Sequence, residues 1–109
     1  MTPVKYMKSI KNDREINGFR ECQVRDGAAV CMYLSWLKKQ LEAGRTDITE
    51  FTGSQELAKF RGKMRDFVSL SFEAISSVGP NAAVIHYKPD ADSSLTIVQD
   101  KIYLLDSGG

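Results

Sequence analysis

The chain has 109 residues, 42% of them hydrophobic and 27% charged, and its 15 Lys and Arg against 14 Asp and Glu give a net charge of +1. This length predicts a single domain that buries roughly two-thirds of its surface on folding. The balanced charge provides no basic patch for nucleic acid, and no apolar run approaches the roughly 20 residues of a membrane span. We therefore expect a soluble domain that binds neither nucleic acid nor a membrane.

The first strong pattern in the chain is a long amphipathic helix over residues 12–43. Asn12 and Glu15 have the spacing of a capping box, and Gly44 suits the residue that follows a helix end. Apolar positions recur at intervals of three and four residues and predict a core-facing stripe. The stripe consists of Ile16, Phe19, Gly27, Val30, Leu34, Leu37 and Leu41.

Both cysteines lie on this predicted helix. Cys22 and Cys31 are nine residues apart, and at about 100° per residue their side chains point in nearly opposite directions. They can therefore form neither a disulfide with each other nor a shared metal site. Free thiols are typical of a reducing compartment, and residues 1–15 lack the apolar core of a signal peptide. The prediction is a cytoplasmic protein.

A shorter helix is predicted from about Thr49 to Met64, with Thr49 as its N-cap. Phe51 and Leu57 should face the core together with Met64. Gly53 should weaken the first turn of this helix, because glycine costs about 1 kcal/mol against alanine inside a helix.

The periodicity then changes to that of strands. Residues 67–74 alternate between apolar and polar side chains, which predicts a half-buried strand. Residues 79–81, Gly-Pro-Asn, are typical of a turn, so residues 82–87 are expected to form the return strand of a hairpin. Residues 101–106 supply a third strand. Two helices followed by a three-stranded, mainly antiparallel sheet predict the α+β class.

The candidate chemistry centres on His86, the only histidine. The chain has no phosphate-binding loop and no HExxH motif, and nothing places a nucleophile elbow around Ser76 or Ser77. A hydrolytic metal site requires at least three protein ligands, and only His86, Asp106 and Glu73 could be gathered into one. The residues alone therefore predict no metal site. They also leave open whether His86 has a catalytic role or is structural or merely exposed.

Four segments that together cover essentially the whole chain resemble a known family. In order they are "TPVKYMKSIKNDREINGFRE", "RDGAAVCMYLSWL", "SFEAISSVGPNAAVIHYKP" and "IYLLDSGG". They resemble the catalytic domain of Xaa-Pro aminopeptidase (aminopeptidase P), a pita-bread metallopeptidase, and "ISSVGPNAAVIHY" is the most specific block. The resemblance implies half of a pita-bread fold and an enzyme that removes an N-terminal residue preceding proline. It also implies two metal ions, usually manganese.

The resemblance further implies a role for His86. This residue matches the histidine of the family's His-Tyr pair, which lies beside the metals and is implicated in positioning the scissile carbonyl and shuttling protons. Asp106 belongs to the family's "DSG" strand and is not a metal ligand. The first two metal-binding carboxylates follow that strand in the family, so residues 1–109 are expected to be the N-terminal half of the catalytic domain. We expect this half alone to hold no metal and to be inactive.

Two other interpretations share the same fold. One is a non-catalytic pita-bread module that binds peptides or histones, as in the large subunit of a histone chaperone, and the other is a related prolidase. Non-catalytic modules generally lose the site residues, so an intact His86 favours the enzyme. A half domain would also leave apolar strand edges exposed, which predicts a homodimer joined through the sheet.

Overall fold

A computed structural model describes all 109 residues. Its elements, in chain order, are helix α1 (Pro3–Ser9), helix α2 (Asp13–Glu42), helix α3 (Glu50–Gly62), strand β1 (Ile75–Val78), a short 3₁₀ helix (Gly79–Ala83) and strand β2 (Tyr103–Asp106). The α+β class is confirmed, whereas the predicted three-stranded sheet is wrong because only two strands form. Helix α1 was not among the predicted elements. None of the helices combines the length and the hydropathy that crossing a bilayer requires.

The termini of α2 lie where their caps predict. The Asn12 side chain accepts from the Glu15 backbone N–H at 2.9 Å, and the Glu15 carboxylate accepts from the Asn12 N–H at 3.1 Å. Gly44 follows the helix in the left-handed conformation, with φ of +83°, which a residue without a Cβ adopts freely. The capping box and the glycine stop are therefore both confirmed.

The buried face of α2 coincides only partly with the predicted stripe, whose Val30, Leu37 and Leu41 lie in or against the core. Ala29, Tyr33 and Leu37, four residues apart, are buried, whereas Phe19 is 56% exposed and Leu34 is also exposed. Helix α2 packs against α3, and every buried residue of α2 lies in its C-terminal half. The N-terminal half therefore carries apolar side chains that nothing in this chain covers.

Helix α3 packs closely against α2 because Gly53 has no side chain. A Cβ at Gly53 would lie 2.7 Å from Tyr33 Oη and 3.0 Å from Ile97 Cδ1. Thr49 caps the helix, accepting from the Thr52 N–H at 3.1 Å, as its sequence predicts. The helix ends at Gly62 rather than at Met64. Gly53 thus serves a packing role that its helix propensity does not indicate.

The two strands come from different places than predicted. β1 pairs antiparallel with β2, with Ile75 opposite Asp106 and Val78 opposite Tyr103. Residues 67–74 form no strand, and Val68 is 92% exposed. Alternation indicates a strand only where a neighbouring strand accepts its backbone hydrogen bonds. This segment has no partner strand, and Ser71 N–H donates instead to Gly108 O, beyond the end of β2, at 2.9 Å.

The predicted return strand, residues 82–87, is also absent. The chain instead enters the 3₁₀ helix at Gly79–Ala83, and Pro80 fits its first turn because its fixed φ is helical and its missing N–H is not needed there. His86 then adopts φ of +56°, which no extended strand contains. The partner of β1 is therefore supplied by residues 25 to 31 positions later, from Val78 opposite Tyr103 to Ile75 opposite Asp106.

The core lies between α2, α3 and the sheet. Its buried apolar residues are Tyr33, Leu37, Ile48, Leu57, Val78 and Ile97. Four polar residues are buried as well, and two of them, Glu50 and Arg61, are normally charged. Arg61 binds Asp26 through two hydrogen bonds, of 2.7 and 2.9 Å. Glu50 lies next to the His86 segment.

Candidate functional site

His86 lies on an exposed turn beside the sheet. Together with Asp106 it lines a shallow cavity whose other walls are mainly apolar: Ile75, Ala82, Ala83, Val84, Ile85 and Leu104. The site therefore consists of one imidazole and one carboxylate at the rim of an apolar surface. Of the three residues that could have been gathered into a metal site (His86, Asp106 and Glu73), the structure brings the first two to one cavity.

The backbone of His86 is held in an unfavourable conformation. Its φ of +56° lies in the left-handed region, which costs a residue with a Cβ about 1–2 kcal/mol. Local backbone hydrogen bonds shape the turn: Val84 N–H donates to Asn81 O at 3.1 Å, and Tyr87 N–H donates to Val84 O at 3.2 Å. Such a conformation persists where the surrounding structure enforces it.

A buried carboxylate anchors both ends of this turn. Glu50, the first residue of α3, is 0% exposed. Its Oε2 accepts from Tyr87 Oη at 2.6 Å, and Asn81 Nδ2 lies 3.2 Å from each carboxylate oxygen. The turn that carries His86 is thus tied to Glu50 by a side chain before it and by the side chain directly after it.

The same carboxylate also binds two backbone amides. Val78 N–H donates to Oε1 at 2.7 Å, and Leu95 N–H donates to Oε2 at 3.0 Å. All four donors are neutral, so the charge of Glu50 is balanced by hydrogen bonds and by the positive N-terminal end of the α3 dipole. We call Glu50, Val78, Asn81, Tyr87 and Leu95 the Glu50 cluster.

Tyr87 is held in its donating form within this cluster. Burial and the neighbouring Glu50 carboxylate raise the pKa of Tyr87 to about 12. The hydroxyl therefore stays protonated at neutral pH and continues to donate to Glu50.

The remaining candidates do not join His86 in a metal site. Glu73 is exposed and pairs with Lys88 at 2.7 Å, an interaction that lowers the pKa of the Glu73 carboxyl. Glu73 and Lys88 line a different cavity from the one beside His86. Nowhere in the chain do three or more His, Cys, Asp or Glu side chains converge in a geometry that could hold a metal ion. Residues 1–109 do not by themselves fit a metal.

Other predicted residues have structural positions. Ser76 is buried and its Oγ lies 2.8 Å from Tyr103 Oη, which in turn lies 2.8 Å from Tyr33 Oη. Burial raises the pKa of both tyrosines, so this chain of hydroxyls remains protonated. Ser77 is also buried, and no nucleophile elbow forms. Both cysteines are free, as predicted.

Sequence reasoning missed the Glu50 cluster. Glu50 follows the N-cap Thr49, where an acidic residue is expected simply because it favours the helix dipole. Asn81 is equally ordinary in a turn. Their importance arises from contacts across 28 to 45 positions of the chain, and no local pattern encodes such contacts.

Comparison with known proteins defines the class. Residues 17–109 match the model of metallopeptidase family M24, and the chain belongs to that family. It is 49% identical over 107 residues to a probable Xaa-Pro aminopeptidase P of Pyricularia oryzae and 47% identical to one of Coprinopsis cinerea. Each match covers 98% of this chain and 17% of the relative.

A solved structure extends the similarity to the backbone. X-prolyl aminopeptidase from Caenorhabditis elegans, described as a cytosolic enzyme with a di-nuclear active site, matches 98% of this chain with a TM-score of 0.92 and 37% identity. The chain spans 17% of that protein's length. The resemblance to Xaa-Pro aminopeptidases is therefore confirmed in both sequence and fold.

Proposed function

We propose that residues 1–109 are the N-terminal half of a pita-bread catalytic domain, in a metal-dependent aminopeptidase that removes an N-terminal residue preceding proline. The observation that carries this proposal is the likeness to Xaa-Pro aminopeptidases over 98% of the chain, at 49% sequence identity and a TM-score of 0.92. The same likeness favours an aminopeptidase over a prolidase or a histone-binding module. The substrate is a peptide with proline in its second position.

His86 is our candidate catalytic residue. Its side chain is exposed beside an apolar surface, where a peptide could reach it. An imidazole can donate or accept a proton near neutral pH. In this role His86 orients the scissile carbonyl by a hydrogen bond and transfers protons at that atom, while Asp106 has a structural role on β2.

The metal ligands lie outside residues 1–109 in this proposal. No set of three ligands converges within the chain, and the similar enzyme from Caenorhabditis elegans is described as having a di-nuclear site. We propose two manganese ions in the full-length enzyme. Residues 1–109 alone would neither bind these ions tightly nor cleave a peptide.

We also propose a cytoplasmic location and self-association of the isolated chain. Free cysteines and the cytosolic description of the similar enzyme support the location, and the balanced charge supports the absence of nucleic-acid or membrane partners. Apolar side chains on and beside β2 support a homodimer joined through the sheet. These exposed residues are Val84, Ile85, Ile102 and Leu104.

The test uses the full-length protein that contains this chain. Purified enzyme is incubated with two peptides that differ only at the second position, one with proline and one with alanine. Release of the first residue should occur only from the proline peptide, should stop after chelation, and should return with Mn²⁺. Equal cleavage of both peptides, or cleavage of neither by the metal-loaded enzyme, would rule out the proposed function.

A further inference from the structure

The Glu50 cluster joins three separate parts of the chain at one carboxylate. Val78 and Asn81 come from the end of β1 and the 3₁₀ helix, Tyr87 follows the turn, and Leu95 belongs to the next loop. Glu50 and Leu95 are bonded twice, since the Glu50 N–H also donates to Leu95 O at 2.9 Å. The carboxylate is therefore fixed by its own backbone as well as by its donors.

This arrangement constrains His86 more than any regular element does. Residues 84–102 contain no named helix or strand, so no continuous ladder holds the segment. Asn81 and Tyr87 bracket the left-handed turn and share one acceptor, while Asn81 Nδ2 also lies 3.2 Å from Tyr87 Oη. The two ends of the turn are thereby held to each other and to the capped start of α3.

We propose that Glu50 and Tyr87 are positioning residues for His86. Through its bond to Tyr87, Glu50 holds the turn so that the exposed imidazole meets the scissile carbonyl in one orientation. Neither residue touches the substrate. The inference rests on the proposed role of His86 and extends it to a buried carboxylate on another element.

The sharpest variant is Tyr87→Phe in the full-length enzyme. It removes one donor from Glu50 and leaves the ring and the other three donors in place, whereas Glu50→Ala would leave four donors without their acceptor, among them the buried Val78 N–H, and destabilise the whole domain. We expect kcat for the proline peptide to fall about 10-fold because a misplaced catalytic group slows the chemical step. The KM should stay within about twofold and the metal content unchanged, since ground-state binding is not altered.

Tyr33→Phe is the matched control. It also removes a buried tyrosine hydroxyl that is hydrogen-bonded at 2.8 Å, but its partner is Tyr103, outside the Glu50 cluster. Both variants should lower the melting temperature by a similar amount, and only Tyr87→Phe should lower kcat. Equal kcat values for the two variants would overturn the inference.

A double variant separates this inference from the function on which it rests. If Tyr87 acts through His86, Tyr87→Phe should cause no further loss of kcat in a His86→Ala enzyme. Independent, multiplicative losses would overturn the positioning role while leaving the aminopeptidase intact. A His86→Ala enzyme with normal kcat would instead refute the role of His86, and a wild-type enzyme without Xaa-Pro cleavage would refute the function itself.

Discussion

The α2–α3 pair and the segment that carries His86 are stabilised by different kinds of interaction. The helices are joined by buried apolar side chains and by the close approach that Gly53 permits. The His86 segment has few regular backbone bonds and depends on one carboxylate with four donors. Apolar packing is non-directional, whereas a buried polar cluster fixes position and is costly when any partner is lost. The helices thus form the frame, and the Glu50 cluster holds the turn that carries His86 to that frame.

The largest effect on activity should come from the His86 segment. His86→Ala in the full-length protein should lower kcat by about 10²-fold or more, because the hydrogen bond and proton transfer that we propose for His86 are lost. The metal content should be unchanged, because the proposed metal ligands lie outside residues 1–109. Measurements of kcat and metal content on the purified variant check this prediction. Near-normal turnover from a less stable protein would mean that His86 is only structural.

The largest effect on stability should come from the polar cluster. Glu50→Ala leaves the donors of Val78, Asn81, Tyr87 and Leu95 without this acceptor. The Val78 N–H is buried, and such an unsatisfied group costs about 1–3 kcal/mol, to which the three half-buried or more exposed donors add. The free energy of unfolding of the full-length enzyme should fall on the order of 3 kcal/mol or more. Ser93→Ala serves as the surface control, since Ser93 is exposed. If denaturant titration gives similar free energies of unfolding for the two variants, the Glu50 cluster does not stabilise the fold as described.

A smaller effect should appear where the helices meet. Gly53→Ala places a Cβ 2.7 Å from Tyr33 Oη, and overpacking of this kind costs about 1–3 kcal/mol. Gly18→Ala is the matched control, because Gly18 lies inside α2 and a Cβ added there would meet no atom within 4 Å. It should stabilise the enzyme by about 0.5–1 kcal/mol through helix propensity. Thermal unfolding should therefore show a lower melting temperature for Gly53→Ala and a higher one for Gly18→Ala than for the wild type.

The smallest effect should be a difference in how the stability of Tyr87→Phe and of the wild type depends on pH. The pKa of Tyr87 is raised from 10.0 to about 12, so the folded state retains a proton that the unfolded state releases. The stability contributed by this proton is complete below pH 10 and is lost as the pH rises toward 12. Tyr87→Phe should therefore lose less stability than the wild type across this window. Parallel curves would show that Tyr87 does not titrate differently on folding.

The difference between the two regions also explains what the sequence could predict. Helix caps depend on contacts within a few residues, as at Asn12 with Glu15, at Gly44 and at Thr49. The bounds of α2 and the start of α3 can therefore be predicted from the local sequence. The strand prediction for residues 67–74 failed because alternation says nothing about whether a partner strand exists. Glu50 could not be recognised at all, since its burial depends on donors brought together by the complete fold. His86 gained its interpretation from the resemblance and not from its spacing.

The left-handed backbone of His86, together with its proposed catalytic role, places stability and activity in opposition. Glycine adopts φ of +56° without strain and asparagine tolerates it better than most residues, so the turn would be more relaxed with either of them than with histidine. Selection for heat resistance alone should therefore favour His86→Gly or His86→Asn in the full-length enzyme, and the variants recovered should be stable but slow. A library randomised at this position should yield different residues when it is sorted for melting temperature and when it is sorted for turnover. Retention of histidine at this position in related proteins would then mean that function is maintained at a cost in folding stability.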